Sequence, residues 1–200
     1  DSYTVAAGDT NGTLGFTIDF TDASGNTGVQ VSSTTDSTSI RVDTVAPTLS
    51  NVSIVSSNAN NTLAKAGDTV TLTFTSSETL LGTPTVAFTG SNATNYAISN
   101  SGNNYTATYT VNATDLSGVQ AFTIDYNDLA GKAGAQVNAT TDGTSVEIDV
   151  DAPYVVSFTI DDTELKIGDT ANVQLKFSEP VVGFSSNADI TPANGTLTAM

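Results

Sequence analysis

The sequence predicts an all-β protein built as an antiparallel sandwich that recurs along the chain. Three observations carry this expectation. Alternating apolar and polar residues end in Gly-containing turns, as in Phe16-Thr17-Ile18-Asp19-Phe20 followed by Asp22-Ala23-Ser24-Gly25-Asn26. Period-two alternation marks a strand with one buried face, and the Gly marks its turn. Only 13% of residues are charged, and the polar remainder is mostly Thr, Ser and Asn, of which Thr suits strands and the others suit turns. Finally, the opening stretch returns as Phe122-Thr123-Ile124-Asp125-Tyr126 followed by Asp128-Leu129-Ala130-Gly131-Lys132. Such self-similarity decides the architecture.

The repeat extends over the whole chain. Tyr3-Thr4-Val5 pairs with Tyr109-Thr110-Val111, Thr34-Thr35-Asp36 with Thr140-Thr141-Asp142, Asp43 with Asp149 and Ala46-Pro47 with Ala152-Pro153, all 106 residues apart. Farther on, Gly67-Asp68-Thr69 pairs with Gly168-Asp169-Thr170 and Ser77-Glu78 with Ser178-Glu179, 101 apart. The five lost residues fall in a loop region, where length changes are tolerated. A period near 100 residues is that of a whole sandwich domain rather than a solenoid unit. Residues 1–46 then read as the back part of one repeat, 47–150 as a complete repeat, and 151–200 as the front part of a third. Neither partial repeat has the length to bury its own core. Starting as it does at Asp1, the chain reads as a window on a longer tandem array.

Seven strands are expected in the complete repeat. The first covers 48–56 with Leu49, Val52 and Ile54; the second covers 68–76 with Val70, Leu72 and Phe74 inward. The third spans 84–89 with Val86 and Phe88, and the fourth spans 95–99. The fifth, 104–111, places Tyr105, Ala107, Tyr109 and Val111 on one face, and the sixth, 119–127, places Phe122, Ile124 and Tyr126 inward. The seventh is expected over 135–150 with a break at Thr141-Asp142-Gly143. Seven short strands with regular turn signals indicate an immunoglobulin-like antiparallel β-sandwich in tandem array. Because the aromatic residues fall on inward positions of the alternation, they are expected in the core. Pro47 and Pro153 stiffen the linkers by fixing φ.

Several strings resemble the bacterial Ig-like tandem repeats of large cell-surface adhesins. They are Lys65-Ala66-Gly67-Asp68-Thr69-Val70-Thr71-Leu72-Thr73-Phe74 with Ser77-Glu78, Tyr105 to Val111, the Asp128-Leu129-Ala130-Gly131 turn, and Val42-Asp43-Thr44-Val45-Ala46-Pro47. The resemblance covers essentially the whole chain. It implies a cell-surface stalk, stiffened in many members by calcium, that carries an adhesive tip elsewhere in the polypeptide. One departure is Lys132, where the pattern Asp-x-Ala-Gly-Asn has Asn. Its positive charge opposes a cation at that turn.

Composition excludes much else. With 21 acidic and 5 basic residues the net charge is −16, which repels nucleic acid and anionic membranes. No apolar run approaches the roughly 18 residues of a membrane helix, so no membrane insertion is expected in this segment. His and Cys are absent, which removes Ser-His and Cys-His nucleophiles and zinc sites built on those ligands. A paired-carboxylate glycosidase is formally allowed, but tandem copies would duplicate a site lacking an obvious cleft, and no enzymatic activity is expected. Asn-x-Ser/Thr strings at Asn51, Asn92, Asn112 and Asn138 support no glycosylation in a chain so rich in these residues.

The acidic residues form the one chemical signal. Sandwich topology should gather Asp9, Asp43, Glu78, Asp125 and Asp128 where the chain enters the complete repeat, and Asp68, Asp115, Asp149, Asp151 and Glu179 where it leaves. Carboxylates about 5 Å apart repel by roughly 0.8 kcal/mol even in water, and a hard dication reverses that sign. Ca²⁺ is expected, since it accepts six to eight oxygens in tolerant geometry whereas Mg²⁺ demands an octahedron. The competing cause is turn chemistry, because Asp closes Asx-turns without any ion. The expected function is a structural stalk or spacer module outside the cell, with neighbouring repeats of the same or an adjacent chain as partners. One alternative is a carbohydrate- or protein-binding module, which calls for an exposed aromatic platform. Another is a filament subunit whose half-domains are completed between chains.

Overall fold

The structure, a computed structural model, describes residues 2–89, 96–193 and 195–196. Asn92 and the expected start of the fourth strand at residue 95 lie outside the described residues. The chain divides into two compact units, Asp1–Val150 and Asp151–Met200, each described by itself.

The first unit begins with β1 (Gly12–Thr13) and β2 (Arg41–Val42), a short antiparallel pair, and continues with β3 (Leu49–Ser56), β4 (Leu63–Ala64), β5 (Thr69–Ser76), β6 (Thr85–Thr89), β7 (Tyr96–Ser101), β8 (Asn104–Thr110), β9 (Gly118–Val119), β10 (Ala121–Asp125) and β11 (Glu147–Ile148). One layer is the four-stranded antiparallel sheet β3-β5-β8-β7. The other is built from β6 with β10 and from β4, β11 and β9, extended by a bridge from Ile124 to Val137. This is the two-layer arrangement of a seven-stranded immunoglobulin-like sandwich. The fold is therefore all-β and immunoglobulin-like, and its elements recur along the chain.

Alternation builds the core. In β5 every second residue is buried, so that Val70, Leu72 and Phe74 face inward while the intervening threonines face out. Tyr105, Ala107 and Tyr109 of β8 and Phe122 and Ile124 of β10 complete the packed cluster with Val52, Ile54, Val86, Phe88, Val146 and Ile148. Phe74 stacks on Tyr105 with ring centroids 5.3 Å apart. The Tyr109 hydroxyl donates to Gln120 Oε1 at 2.8 Å, and the Gln120 amide donates to the Thr89 carbonyl at 2.9 Å, so these two side chains are paired.

Two elements differ from the sequence expectation. The seventh strand, expected over 135–150, joins a ladder only at Glu147–Ile148. Upstream, Asp142 Oδ1 accepts from the Thr144 amide and hydroxyl, and Thr141 exchanges bonds with Val52 of β3. Side-chain hydrogen bonds thus replace the backbone ladder there. The pair β4–β11 is parallel, because the first strand crosses from one sheet to the other between Ser56 and Leu63. A register shift between Ser50 and Ser53, with Asn51 at φ 52°, marks a bulge in that strand.

Turns and bridges repeat with the sequence. Ile18 bridges Val31 as Ile124 bridges Val137, and Thr21 bridges Thr27 as Asn127 bridges Ala133. Yet Phe16, Ile18 and Phe20 are 41%, 52% and 52% exposed, whereas Phe122, Ile124 and Tyr126 are 4%, 0% and 6% exposed. The expectation that aromatic residues are core therefore holds for the described aromatic side chains of 47–150 and fails in residues 1–46, which carry no front sheet of their own.

The second unit contains β12 (Val155–Ile160) paired antiparallel with β13 (Val173–Phe177), and one helical turn, α1 (Ser186–Asp189). Its opening reproduces that of the complete repeat: Tyr154 N donates to Ser178 Oγ as Thr48 N donates to Ser77 Oγ. Here too the apolar residues are exposed, Phe158 and Ile160 by 52% and 50%.

Candidate metal centre

The acidic residues expected where the chain enters the complete repeat separate into a cluster and two outliers. Asp43 follows β2 in the linker, Glu78 follows β5, and Asp128 opens the turn after β10. The bridge between Leu80 and Asp128 and the Leu81 N to Asn127 O bond of 2.8 Å bring the last two segments side by side. One carboxylate oxygen from each of Asp43, Glu78 and Asp128 lies within 4.8 Å of the others. At that separation each pair repels by at least about 0.9 kcal/mol in water, and by more where solvent is excluded.

Asp128 is fully buried. Its Oδ1 accepts from Lys132 N at 2.8 Å, but Oδ2 has no hydrogen-bond partner. An ionised oxygen removed from water without a donor carries a desolvation penalty that a bonded one does not. Burial pushes the Glu78 carboxyl above its ordinary value, and the neighbouring charges of Asp43 and Asp128 push it the same way, while Arg41 opposes them. Asp43 is fixed from the linker side: its Oδ1 accepts from Asn11 Nδ2 at 3.2 Å and from Val45 N at 3.3 Å. Asn11 in turn accepts from the Thr44 amide and hydroxyl at 2.8 and 2.7 Å. Three carboxylates, one with an orphaned buried oxygen, form a donor set suited to a hard cation with oxygen ligands.

The remaining expected ligands lie outside this cluster. Asp9 Oδ2 accepts from Ala6 N at 2.6 Å, and Asp115 Oδ2 from Asn112 N at 2.9 Å; these residues correspond across the repeat and close the same turn. Asp125 is exposed and accepts from Gln136 Nε2 at 2.8 Å. Asp68 Oδ2 accepts from Asn58 Nδ2 at 2.8 Å and Lys65 N at 2.9 Å, bonds that hold its carboxyl below the ordinary value. Asp149 is exposed, and its amide donates to the Ala64 carbonyl. Asp151 is exposed and Glu179 half-buried in the second unit. Among the described residues, Asp43, Glu78 and Asp128 are the group of three acids close enough to share an ion. For Asp9, Asp68 and Asp115, the turn chemistry weighed against calcium accounts for their geometry.

One contributor, Asn11, was missed in the sequence. Asn11 organises the linker, and its residue type gave no signal, since Ser117 stands 106 residues on; only the structure shows that Ser117 accepts from Val150 N as Asn11 accepts from Thr44 N. The Lys132 ammonium donates to the Thr44 carbonyl, which ties the turn to the linker.

Fold and site together define a repeated β-sandwich module with an acidic cluster at a linker. Residues 149–200 match the family model of a bacterial Ig-like domain. The match covers about a quarter of the chain, and the rest repeats the same motifs, so the resemblance to bacterial Ig-like repeats holds. No curated protein and no solved structure matches the chain. No helix among the described residues is long and apolar enough to cross a membrane.

Proposed function

We propose that the chain is a stalk or spacer segment of an extracellular bacterial adhesin or surface filament, and that Ca²⁺ held by Asp43, Glu78 and Asp128 stiffens the join between residues 1–46 and the complete repeat. The observation that carries the reading is the buried Asp128 carboxylate, its Oδ2 without a partner, beside two further carboxylates from separate segments. A cation there replaces three repulsions with attractions and fixes the linker to two loops of the next sandwich. Ca²⁺ suits the site because backbone carbonyls and water can supply the remaining oxygens in irregular geometry. The expected affinity is that of extracellular modules, roughly 10⁻⁴–10⁻³ M. Neighbouring repeats are the proposed partners, and no catalytic role is assigned.

Calcium titration of the chain, followed by calorimetric melting and small-angle scattering, tests this. The expected outcome is a higher melting temperature and a narrower distribution of shapes, both reversed by chelator. At a hundred times the dissociation constant the stabilisation should approach about 2.7 kcal/mol. No response at about 10⁻² M calcium, ten times the weak end of that range, would leave an ion-free spacer.

A second reading has its own support. The exposed Phe16, Ile18 and Phe20, and the exposed Phe158 and Ile160, are faces that the complete repeat buries. In this reading, half-domains are completed by neighbouring repeats of the same or an adjacent chain.

A further inference from the structure

The two Asp-x-x-Gly turns, 106 residues apart, differ in one hydrogen bond that bears on the cluster. In the first, Asp22 N donates to Asn26 O at 2.9 Å and Gly25 N to Asp22 O at 3.0 Å; in the second, Asp128 N donates to Lys132 O at 3.0 Å and Gly131 N to Asp128 O at 3.0 Å. Gly25 and Gly131 both take positive φ, 91° and 84°. Asp22 Oδ1 accepts from Asn26 N at 2.8 Å, as Asp128 Oδ1 accepts from Lys132 N at 2.8 Å. Asp22 Oδ1 also accepts from Ser24 N at 2.9 Å, and the second carboxylate oxygens differ in a way that bears on the cluster. Asn26 Nδ2 fills Asp22 Oδ2 at 2.8 Å, whereas Asp128 Oδ2 has no partner. Lys132, the counterpart of Asn26, has no carboxamide to offer and sends its ammonium to the Thr44 carbonyl.

We propose that Lys132 is the residue that sets cation affinity at this linker, by withholding the carboxamide that occupies the same oxygen in the first turn. The inference rests on the cation reading given under the proposed function. Asn at this position satisfies the Asp from within its own turn, and a cation must then break a hydrogen bond to a charged acceptor before it can bind. Lys leaves that oxygen bare in the carboxylate that neighbours Asp43 and Glu78, and its own ammonium donates to the linker carbonyl. Lys132 is a positioning residue, not a ligand. A bare electrostatic account predicts the reverse, since removing a positive charge should favour a cation.

The test compares Lys132→Asn with Lys132→Met in the full chain, by calorimetric titration with calcium chloride and by melting in chelator. Both variants lose the ammonium, but only Asn supplies the carboxamide. Lys132→Met should bind calcium at least as tightly as the unmodified chain. Lys132→Asn should bind about tenfold more weakly, the scale of one hydrogen bond to a charged group. In chelator, Lys132→Asn should melt above Lys132→Met, because its amide satisfies Asp128. Equal calcium affinities for the two variants, or equal melting temperatures in chelator, would overturn the role of Lys132 while leaving the cation site intact. No calcium binding by the unmodified chain would overturn the cation reading and this proposal together.

Discussion

Asp128 is the residue on which the candidate site turns, because its backbone and Oδ1 belong to a closed turn while Oδ2 belongs to no one. Asp128→Asn keeps the Oδ1 acceptor for Lys132 N and places a donor where the bare oxygen stood, in a side chain that neighbours the carboxylates of Asp43 and Glu78. In chelator this variant should be more stable by about 1–3 kcal/mol, the penalty of an unsatisfied buried polar atom, and its melting temperature should no longer respond to calcium. A variant that is destabilised in chelator and still responds to calcium would show that Oδ2 is satisfied by other means. The residue types of this cluster were legible in the sequence, as acids at turn positions. Which of the ten would meet was not, because turn closure and ion binding select the same residue. Asp9, Asp68 and Asp115, which accept backbone amides as Asp128 does, became distinguishable from it only when the buried, unpartnered Asp128 Oδ2 could be seen.

At the scale of elements, the period-two pattern placed the six strands from 48–56 to 119–127 to within a few residues wherever the structure describes them. Alternation is enforced by burial on one face, and a one-residue slip would turn the whole strand inside out. The seventh strand was less legible, since Asp142 and Thr144 hydrogen-bond locally and compete with the ladder. The parallel pair β4–β11 left no signal at all, because two residues are too few to show a period. Gly134 was another silent position. A Cβ added there would lie 2.2 Å from the ring of Tyr126, just as one at Gly28 would lie 2.1 Å from Phe20. Gly134→Ala must displace a core aromatic ring and should destabilise the repeat by about 1–3 kcal/mol, as overpacking does. Chemical denaturation would measure this, and an unchanged midpoint would mean that the ring moves freely.

For the whole molecule, the contrast between Phe122 at 4% exposure and Phe16 at 41% is the guiding observation. The same sequence motif is core in one place and surface in another, which a local pattern cannot foretell, since burial depends on whether the opposite sheet is present. Contiguous exposed apolar faces mark interaction surfaces. The 200-residue chain should therefore show a mass that rises with concentration in light scattering, while residues 47–150 alone should keep a single monomer mass. A strictly monomeric full-length sample would show that the exposed faces do not find each other.

The short parallel pair β4–β11 has a consequence for mechanical load. If neighbouring repeats pull on the ends of the sandwich, tension enters ahead of β4 and leaves after β11. Parallel neighbours pulled at opposite ends slide past one another, so the bonds from Glu147 N to Thr62 O and from Asp149 N to Ala64 O, each 2.8 Å, are strained together and not one after another. Shear of this kind resists rupture far better than peeling, and two small strands give the sandwich a grip along the direction of pull that its larger antiparallel sheet does not supply.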